Sequence, residues 1–401
     1  MKTSVQRLQR LKHISTNTRD RFFRASSMVV AGRTPFDVIA TADLASVRHY
    51  HPLTESHVEL DGQLVEVKKD RHAVPVVIVA PLAVNMLIYD LFPERSFIKH
   101  LLAQGHDVYL IDWGKPGVKQ AAYTLSNYMF DMLPQCMDAI RAHSGKDRLS
   151  LHGWSMGGML AAVYAATTRH DDVQNLIMLG TPFDGHSNGQ MGAYYKRVHK
   201  LMRRTGLNLR ALPAWMTYSP GWMNVIGFKL MDPVASMKGY VNLALKIANR
   251  DYVQQHANQA AFIDNLEAYP GGVVRDFMCS VLLENETFRR GRFTVGRRVV
   301  EFRNIKSSIL VITGDRDNLA TTQACKGVLQ AVASTDRELF EGPGGHIGIL
   351  GGSLAPKAIW PKTTDWLATR SALSPRAIGS TASASKSAAR SAQTLSEPMA
   401  A

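Results

Sequence analysis

The sequence predicts an α/β fold: a mostly parallel central sheet flanked by helices, with an inserted helical cap. Three observations predict it. Short apolar runs alternate with helix-patterned segments, which implies right-handed crossovers between parallel strands. One of those runs leads directly into Gly153-Trp154-Ser155-Met156-Gly157, the pattern of a sharp strand-to-helix turn. Roughly 120 residues between two later runs lack that rhythm, which is too long for a simple connection.

The elements follow in order. Residues 1–24 read as a basic helix with Val5, Leu8 and Leu11 on a partial apolar stripe. Residues 74–80, Val-Pro-Val-Val-Ile-Val-Ala, form a continuous apolar run, as expected for a strand buried on both faces. Pro81 to Asn85 follow as a loop. Residues 95–105 read as a helix ending at a glycine, 106–113 as the next strand and 125–141 as a helix. Leu149-Ser150-Leu151-His152 is the strand entering the turn, and the run from Met159 to Ala166 is the helix leaving it. Residues 176–180 and 308–313 are further strands, and 338–340 is a shorter one. Between 184 and 305 few strand runs occur, and Pro, Met and aromatic residues accumulate, as in 212–223. The expected organisation is a basic helical extension (1–33), a catalytic domain (34–370) with its cap at about 184–305, and a Ser/Ala-rich tail (371–401) too poor in apolar residues to fold.

Composition narrows the function classes. The 401 residues are 45% hydrophobic and 20% charged, enough for an ample core. Cys136, Cys279 and Cys325 lie far apart, so neither a disulfide framework nor a metal cluster is expected, and a cytoplasmic, reducing setting is. No cofactor and no metal are expected. No run of about 18 uncharged apolar residues occurs, so no membrane span is expected. The basic N-terminus lacks the apolar stretch of a secretory signal. Net charge is +14, but residues 1–33 hold eight Lys/Arg against Asp20 alone, and 371–401 hold three against Glu397. Charge concentrated in the ends, with no nucleic-acid-binding motif beside it, argues against a nucleic-acid partner.

The turn at Ser155 names a reaction class, nucleophilic acyl transfer on an α/β-hydrolase fold. A serine hydroxyl needs a base to take its proton, and the base needs an orienting acid. In this fold the chain order is Ser, acid, His. The strand at 308–313 is followed by Gly314-Asp315-Arg316-Asp317-Asn318. Asp317, past the reversal, is the preferred acid; Asp315 is the runner-up with a turn-building role, and Asp184 is a third candidate. His346, in Gly344-Gly345-His346-Ile347-Gly348, is the expected base. His152 reads as a packed or hydrogen-bonded core residue. The oxyanion needs two donors. One is the N–H of Met156, and the other comes from the loop after the first central strand, at Leu82 or Ala83, with Leu82 preferred because Pro81 has no N–H.

Several segments resemble the poly(3-hydroxyalkanoate) synthase family of α/β-hydrolases. They are Gly32 to Val38, Pro81 to Asn85, Asp90 to Ser96, Gln104 to Trp113, Leu282 to Glu286, Phe293 to Gly296 and Ile305-Lys306. The resemblance spans roughly residues 33–366 and places Asp317 and His346 on the family's catalytic Asp and His. It implies a (3-hydroxy)acyl-CoA or related acyl substrate and a covalent acyl-enzyme. The chain departs from that family at two chemical positions: Ser155 stands where the family has cysteine, and Asn318 where it has a histidine after the Asp.

Three readings follow: a serine hydrolase or acyltransferase acting on acyl esters or thioesters, a polyhydroxyalkanoate synthase with serine for cysteine, and a non-catalytic granule- or membrane-associated protein. The Met-rich cap suits an acyl chain. Two basic clusters in it, Lys196 to Arg210 and Arg289 to Arg298, read either as attraction for CoA phosphates or an anionic surface, or as a solvated face. The partners expected are the acyl substrate, a lipid or polymer granule surface met through the basic N-terminus, and a second copy in a homodimer.

Overall fold

The structure is a computed structural model that describes residues 2–169, 172–231 and 233–374. The strands of its central sheet, in chain order, are β1 (Phe36–Ala42), β2 (Ala45–Tyr50), β3 (Val76–Val79), β4 (Val108–Asp112), β5 (Leu149–Trp154), β6 (Val173–Leu179), β7 (Ser308–Gly314) and β8 (Arg337–Gly342). They form one sheet in the order β1-β2-β4-β3-β5-β6-β7-β8. β1 pairs antiparallel with β2, and β2 with β4. The six strands from β4 to β8 are parallel. This is an α/β-hydrolase sheet. All four residues of β3 and all six of β5 are buried, because both faces are covered by helices.

The main helices are α1 (Lys2–Phe23), α2 (Phe97–Ala103), α3 (Leu133–Ser144) and α4 (Met156–Thr167), then α5 (Gly189–Thr205), α6 (Gly221–Met231), α7 (Pro233–Leu245), α8 (Arg250–Ile263), α9 (Gly271–Phe277) and α10 (Glu286–Arg290), and last α11 (Ala355–Ala368). α4 is apolar all round and its residues 156–166 are buried, as befits a helix enclosed by the sheet and its neighbours. α5 to α10 all lie between β6 and β7, and we keep the name cap for this segment.

Some elements differ from the sequence reading. The helix at 95–105 begins only at Phe97, where the Ser96 hydroxyl caps the Lys99 N–H. Arg95–Ser96 instead pairs with Asp90–Phe92. The antiparallel strands β1 and β2 carry no continuous apolar run and were not read from the sequence. The cap is not purely helical: Arg292–Val295 and Arg298–Glu301 form a hairpin. The ordered chain also continues past the expected boundary at 370. Ser371 is buried, its hydroxyl accepts from Val74 N–H, and Leu373–Ser374 pairs with Arg71–His72. The rest of the Ser/Ala-rich tail lies outside the described residues.

α1 docks on the cap through its C-terminal half. Asn17 donates to the Ile247 carbonyl, and Arg250 pairs with Asp20 at 2.6 Å. Met28, just beyond, packs with Leu243, Val253 and Ala257. Leu8 and Leu11 stay exposed. Among the described residues no helix is long and apolar enough to cross a membrane.

Candidate active site

β5 delivers Ser155 with φ 53° and ψ −125°, a backbone conformation costly for any residue with a side chain. Surrounding contacts impose it. A Cβ on Gly157 would lie 2.1 Å from the Val79 carbonyl oxygen, and one on Gly153 would lie 2.4 Å from the Gly158 Cα. Only glycines let the turn press this closely on β3 and the start of α4, which lifts the serine side chain clear of the sheet.

His346 reaches Ser155 from the loop after β8. Its Nε2 lies 3.0 Å from Ser155 Oγ, and its Nδ1 lies 2.8 Å from Asp317 Oδ2. The tautomer with the proton on Nδ1 satisfies both contacts, donating to the carboxylate and accepting from the serine. Asp317 is buried, and its other oxygen accepts from the N–H groups of Leu319 and Ala320 at 2.9 and 2.8 Å. The carboxylate is thereby fixed in one orientation. The structure thus brings Ser155, His346 and Asp317 into one hydrogen-bonded chain.

The alternative acids are occupied elsewhere. Asp315 accepts from Gly344 N–H at 2.7 Å, which ties the acid loop to the histidine loop and holds its carboxyl below the usual range. Asp184 accepts from the N–H groups of His186 and Ser187, from the Ser187 hydroxyl and from the Asn285 amide. His152 is fully buried against Phe97, and burial pushes its imidazole down to about 4. Neither of its ring nitrogens has a hydrogen-bond partner among the described residues, so it is packed rather than bonded.

On the oxyanion side, neither Met156 N–H nor Leu82 N–H meets a protein acceptor among the described residues. Ala83 sits at φ 62°, on the pocket wall. This loop is clamped by the cap. Glu267 N–H donates to the Ala83 carbonyl at 3.0 Å, and the Asn85 amide donates to the carbonyls of Phe262 and Asn265.

Above Ser155 and His346 lies a pocket of about 440 Å³. Met223, Phe228, Phe262, Leu266 and Tyr269 of the cap face Ala83, Trp154 and Leu319 of the sheet side across it. Part of the basic clusters is used internally. Arg210 forks onto Glu284, Arg292 pairs with Glu286, and Arg298 lies over the Phe130 ring. Among the described residues no group of three ligating side chains could hold a metal ion.

Sequence reasoning missed two residues that shape this site. Trp154 donates its indole N–H to the His346 carbonyl at 3.1 Å. Gly180, at φ 53° past the end of β6, packs beside the acid–base pair: a Cβ there would touch Asp317 Oδ2 and His346 Nδ1 at 3.4 Å and crowd Ile349 Cδ1 at 2.9 Å. A glycine closing an apolar strand was the available signal.

Comparison with known proteins supports the fold. The alpha/beta hydrolase fold family matches residues 83–224. A poly(3-hydroxyalkanoate) polymerase subunit PhaC from Haloferax mediterranei is 30% identical over 350 residues, covering 86% of this chain and 66% of that protein. The subunit PhaC from Allochromatium vinosum is 30% identical over 300 residues, covering 74% of this chain and 81% of that one. Among solved structures, a soluble variant of monoglyceride lipase from Saccharomyces cerevisiae superposes with a TM-score of 0.49 at 13% identity, covering 86% of this chain and 97% of that one. The fold and the two polymerase relatives define an enzyme of the hydrolase and acyltransferase type. Within that class the chain belongs to the poly(3-hydroxyalkanoate) polymerase PhaC family, spanning about two thirds of the length of its Haloferax relative.

Proposed function

We propose that this enzyme is a serine-dependent acyl hydrolase or acyltransferase acting on acyl esters or (3-hydroxy)acyl-CoA thioesters through a covalent acyl-serine. One observation carries the reading: the unbroken hydrogen-bond chain from Ser155 Oγ through His346 to Asp317, at the foot of an apolar pocket. In the proposed reaction His346 Nε2 takes the hydroxyl proton as Ser155 Oγ attacks the substrate carbonyl carbon. The negative charge moves to the carbonyl oxygen, facing the N–H groups of Met156 and Leu82. When the tetrahedral adduct collapses, the thiolate or alkoxide leaves with the proton from His346. Water, or an acceptor alcohol, then gives its proton to His346 as it attacks the acyl carbon, and His346 returns that proton to Ser155 Oγ as the acyl–oxygen bond breaks. Asp317 stays ionised and holds the imidazole.

The nucleophile atom favours hydrolysis or a single transfer. An acyl-serine is an oxygen ester, lower in free energy than the thioester that loads it. Loading is downhill, return to a thiol is uphill, and transfer to water or an alcohol remains downhill. A second reading, polymerisation of 3-hydroxyacyl-CoA, is favoured by the PhaC relatives. Incubation with a 3-hydroxyacyl-CoA separates the two. Free hydroxy acid and CoA in equal amounts support hydrolysis, whereas CoA release with chain-length growth supports polymerisation. Either reading requires Ser155→Ala to lose turnover, and full activity in that variant would overturn both.

A further inference from the structure

The side-chain donors on the wall of the pocket above Ser155 can be accounted for one by one. Among the described residues they belong to Trp154, Ser155, Ser219, Asn224, Tyr269 and His346. Trp154 spends its indole N–H on the His346 carbonyl. The Ser155 hydroxyl donates to His346 Nε2, and His346 Nδ1–H donates to Asp317. The Ser219 hydroxyl donates to Asn224 Oδ1 at 2.6 Å, and the Asn224 amide donates to the carbonyls of Ser219 and Glu267. Tyr269 differs: its hydroxyl meets no protein partner among the described residues, and burial alone acts on its ionisation. The neighbours that complete the wall, Met223, Phe228, Phe262 and Leu266 of the cap, offer it none.

This donor is held in place from both sides. Tyr269 N–H donates to the Ser219 carbonyl at 2.8 Å, and Ser219 N–H donates to the Tyr269 carbonyl at 3.0 Å. Two residues on, Gly271 N–H donates to the Ala121 carbonyl, and Val273 N–H to the Tyr123 carbonyl, both in the segment between β4 and α3. A Cβ on Gly271 would lie 1.5 Å from the Ala214 carbonyl oxygen, so the backbone is pressed against its neighbours here. Burial pushes the phenol up to about 12, which keeps it protonated and a donor throughout the neutral range. A fixed donor on an apolar wall discriminates between ligands. A ligand that brings an oxygen acceptor pairs with it, whereas a plain alkyl chain expels water and leaves it unpaired. In the proposed reaction the carbonyl oxygen faces Met156 and Leu82, so the acceptor for Tyr269 is a different oxygen. Of the two acyl classes the proposed function admits, only the 3-hydroxyacyl class carries one on the acyl chain.

We propose that Tyr269 is a specificity-determining residue whose hydroxyl donates to the 3-hydroxyl oxygen of the acyl chain, so that the pocket selects 3-hydroxyacyl substrates over unsubstituted ones. The proposal rests on the proposed function, which leaves that choice open, and assigns it to one side chain of the cap.

The test uses the full chain with the 4-nitrophenyl esters of 3-hydroxybutyrate and butyrate, which share one leaving group. The wild type is expected to favour the hydroxyl-bearing ester in kcat/KM by about tenfold or more. Tyr269→Phe keeps the ring and removes only the donor, and is expected to bring that ratio close to one. A wild type without the preference overturns the proposal. So does an unchanged ratio in Tyr269→Phe, including equal losses on both esters, which would assign Tyr269 to packing or to the leaving group. A second measurement needs no turnover: calorimetric binding of 3-hydroxybutyryl-CoA and butyryl-CoA to Ser155→Ala, with and without Tyr269→Phe. An about tenfold tighter Kd for the hydroxyl-bearing ligand, lost in the double variant, is expected. Equal affinities in Ser155→Ala overturn the proposal. Discrimination in binding by an enzyme that turns over neither ester sinks the hydrolase reading and leaves the role of Tyr269 standing.

Discussion

The indole N–H of Trp154 donates to the main-chain carbonyl of His346, so the residue before the serine steadies the loop that carries the base. The two rings also lie close, with centroids 5.5 Å apart. Trp154→Phe keeps most of the packing and removes the hydrogen bond, which is worth about 1 kcal/mol. The expected result is a roughly five-fold fall in kcat with KM within about two-fold, since the bond positions the base rather than the substrate. Steady-state kinetics on a soluble ester check it, and an unchanged kcat would remove Trp154 from the positioning role.

Nucleophile identity is testable with reagents. Cys136, Cys279 and Cys325 are buried, and burial pushes the Cys136 thiol up to about 12 and the other two upward. A fluorophosphonate is expected to label Ser155 and abolish activity, while iodoacetamide leaves the native enzyme active. Ser155→Cys reverses the pattern and, where the nucleophile atom alone blocks chain growth, gains measurable polymer formation from a hydroxyacyl-CoA. No gain in that variant transfers the block to the exposed Asn318 or to the cap.

Gly180→Ala tests the space around the acid–base pair. The new methyl group meets Ile349 Cδ1 at 2.9 Å and takes a positive φ that only glycine adopts at no cost. Destabilisation of about 1–2 kcal/mol is expected, with a drop in kcat larger than the fall in Tm explains if the shift that relieves the Ile349 contact carries to Asp317 and His346, which the methyl group would touch at 3.4 Å. Thermal unfolding and kinetics measured together decide it. Wild-type activity in this variant would show that the pair tolerates the methyl group.

Acid should weaken the fold through buried neutral histidines. Burial holds His100 and His152 down to about 4 and His106 well below its ordinary value. The unfolded chain binds these protons near pH 6.5 and the folded chain does not, so stability falls as pH drops from about 6.5 to about 4. His100 and His152 each cost on the order of 3 kcal/mol across that window. Denaturant unfolding at stepped pH values measures the slope. His100→Gln, which removes one of these protons, is expected to flatten it, and a slope unaltered by that change would discard His100 as a contributor.

Gly227 lies open on the pocket, with no atom within 4 Å of where a Cβ would stand. Gly227→Phe is therefore expected to fold normally and fill part of the acyl space. kcat/KM for an octanoyl ester should fall about tenfold relative to an acetyl ester. Equal loss on both esters would show that this part of the pocket does not hold the acyl chain.

Much of this was legible in the residues themselves. The run from Val76 to Val79 announced a strand covered on both faces, because only a central parallel strand needs apolar residues at every position. The glycines around Ser155 announced the turn, because the close approach to Val79 admits no side chain. Leu82 and Ala83 stayed unresolved, because a donor's direction depends on how Glu267 and Asn85 clamp the loop, some 180 residues apart in the chain. β1 and β2 were missed because an edge pair buried on one face carries no continuous apolar run.

The sequence by itself pointed to an α/β-hydrolase fold of the hydrolase and acyltransferase type, to the candidate residues Ser155, Asp317 and His346 in that order, and to the parallel strands that carry them, since those depend on local pattern and turn chemistry. The tertiary structure alone decided that Asp315 braces the histidine loop while Asp317 meets the imidazole, and that Trp154 and Gly180 belong to the site. It also decided that the cap brings Tyr269 to the pocket wall. These are contacts between segments distant in the chain. They are set by how the sheet, the loops and the cap converge in space, which no local spacing encodes.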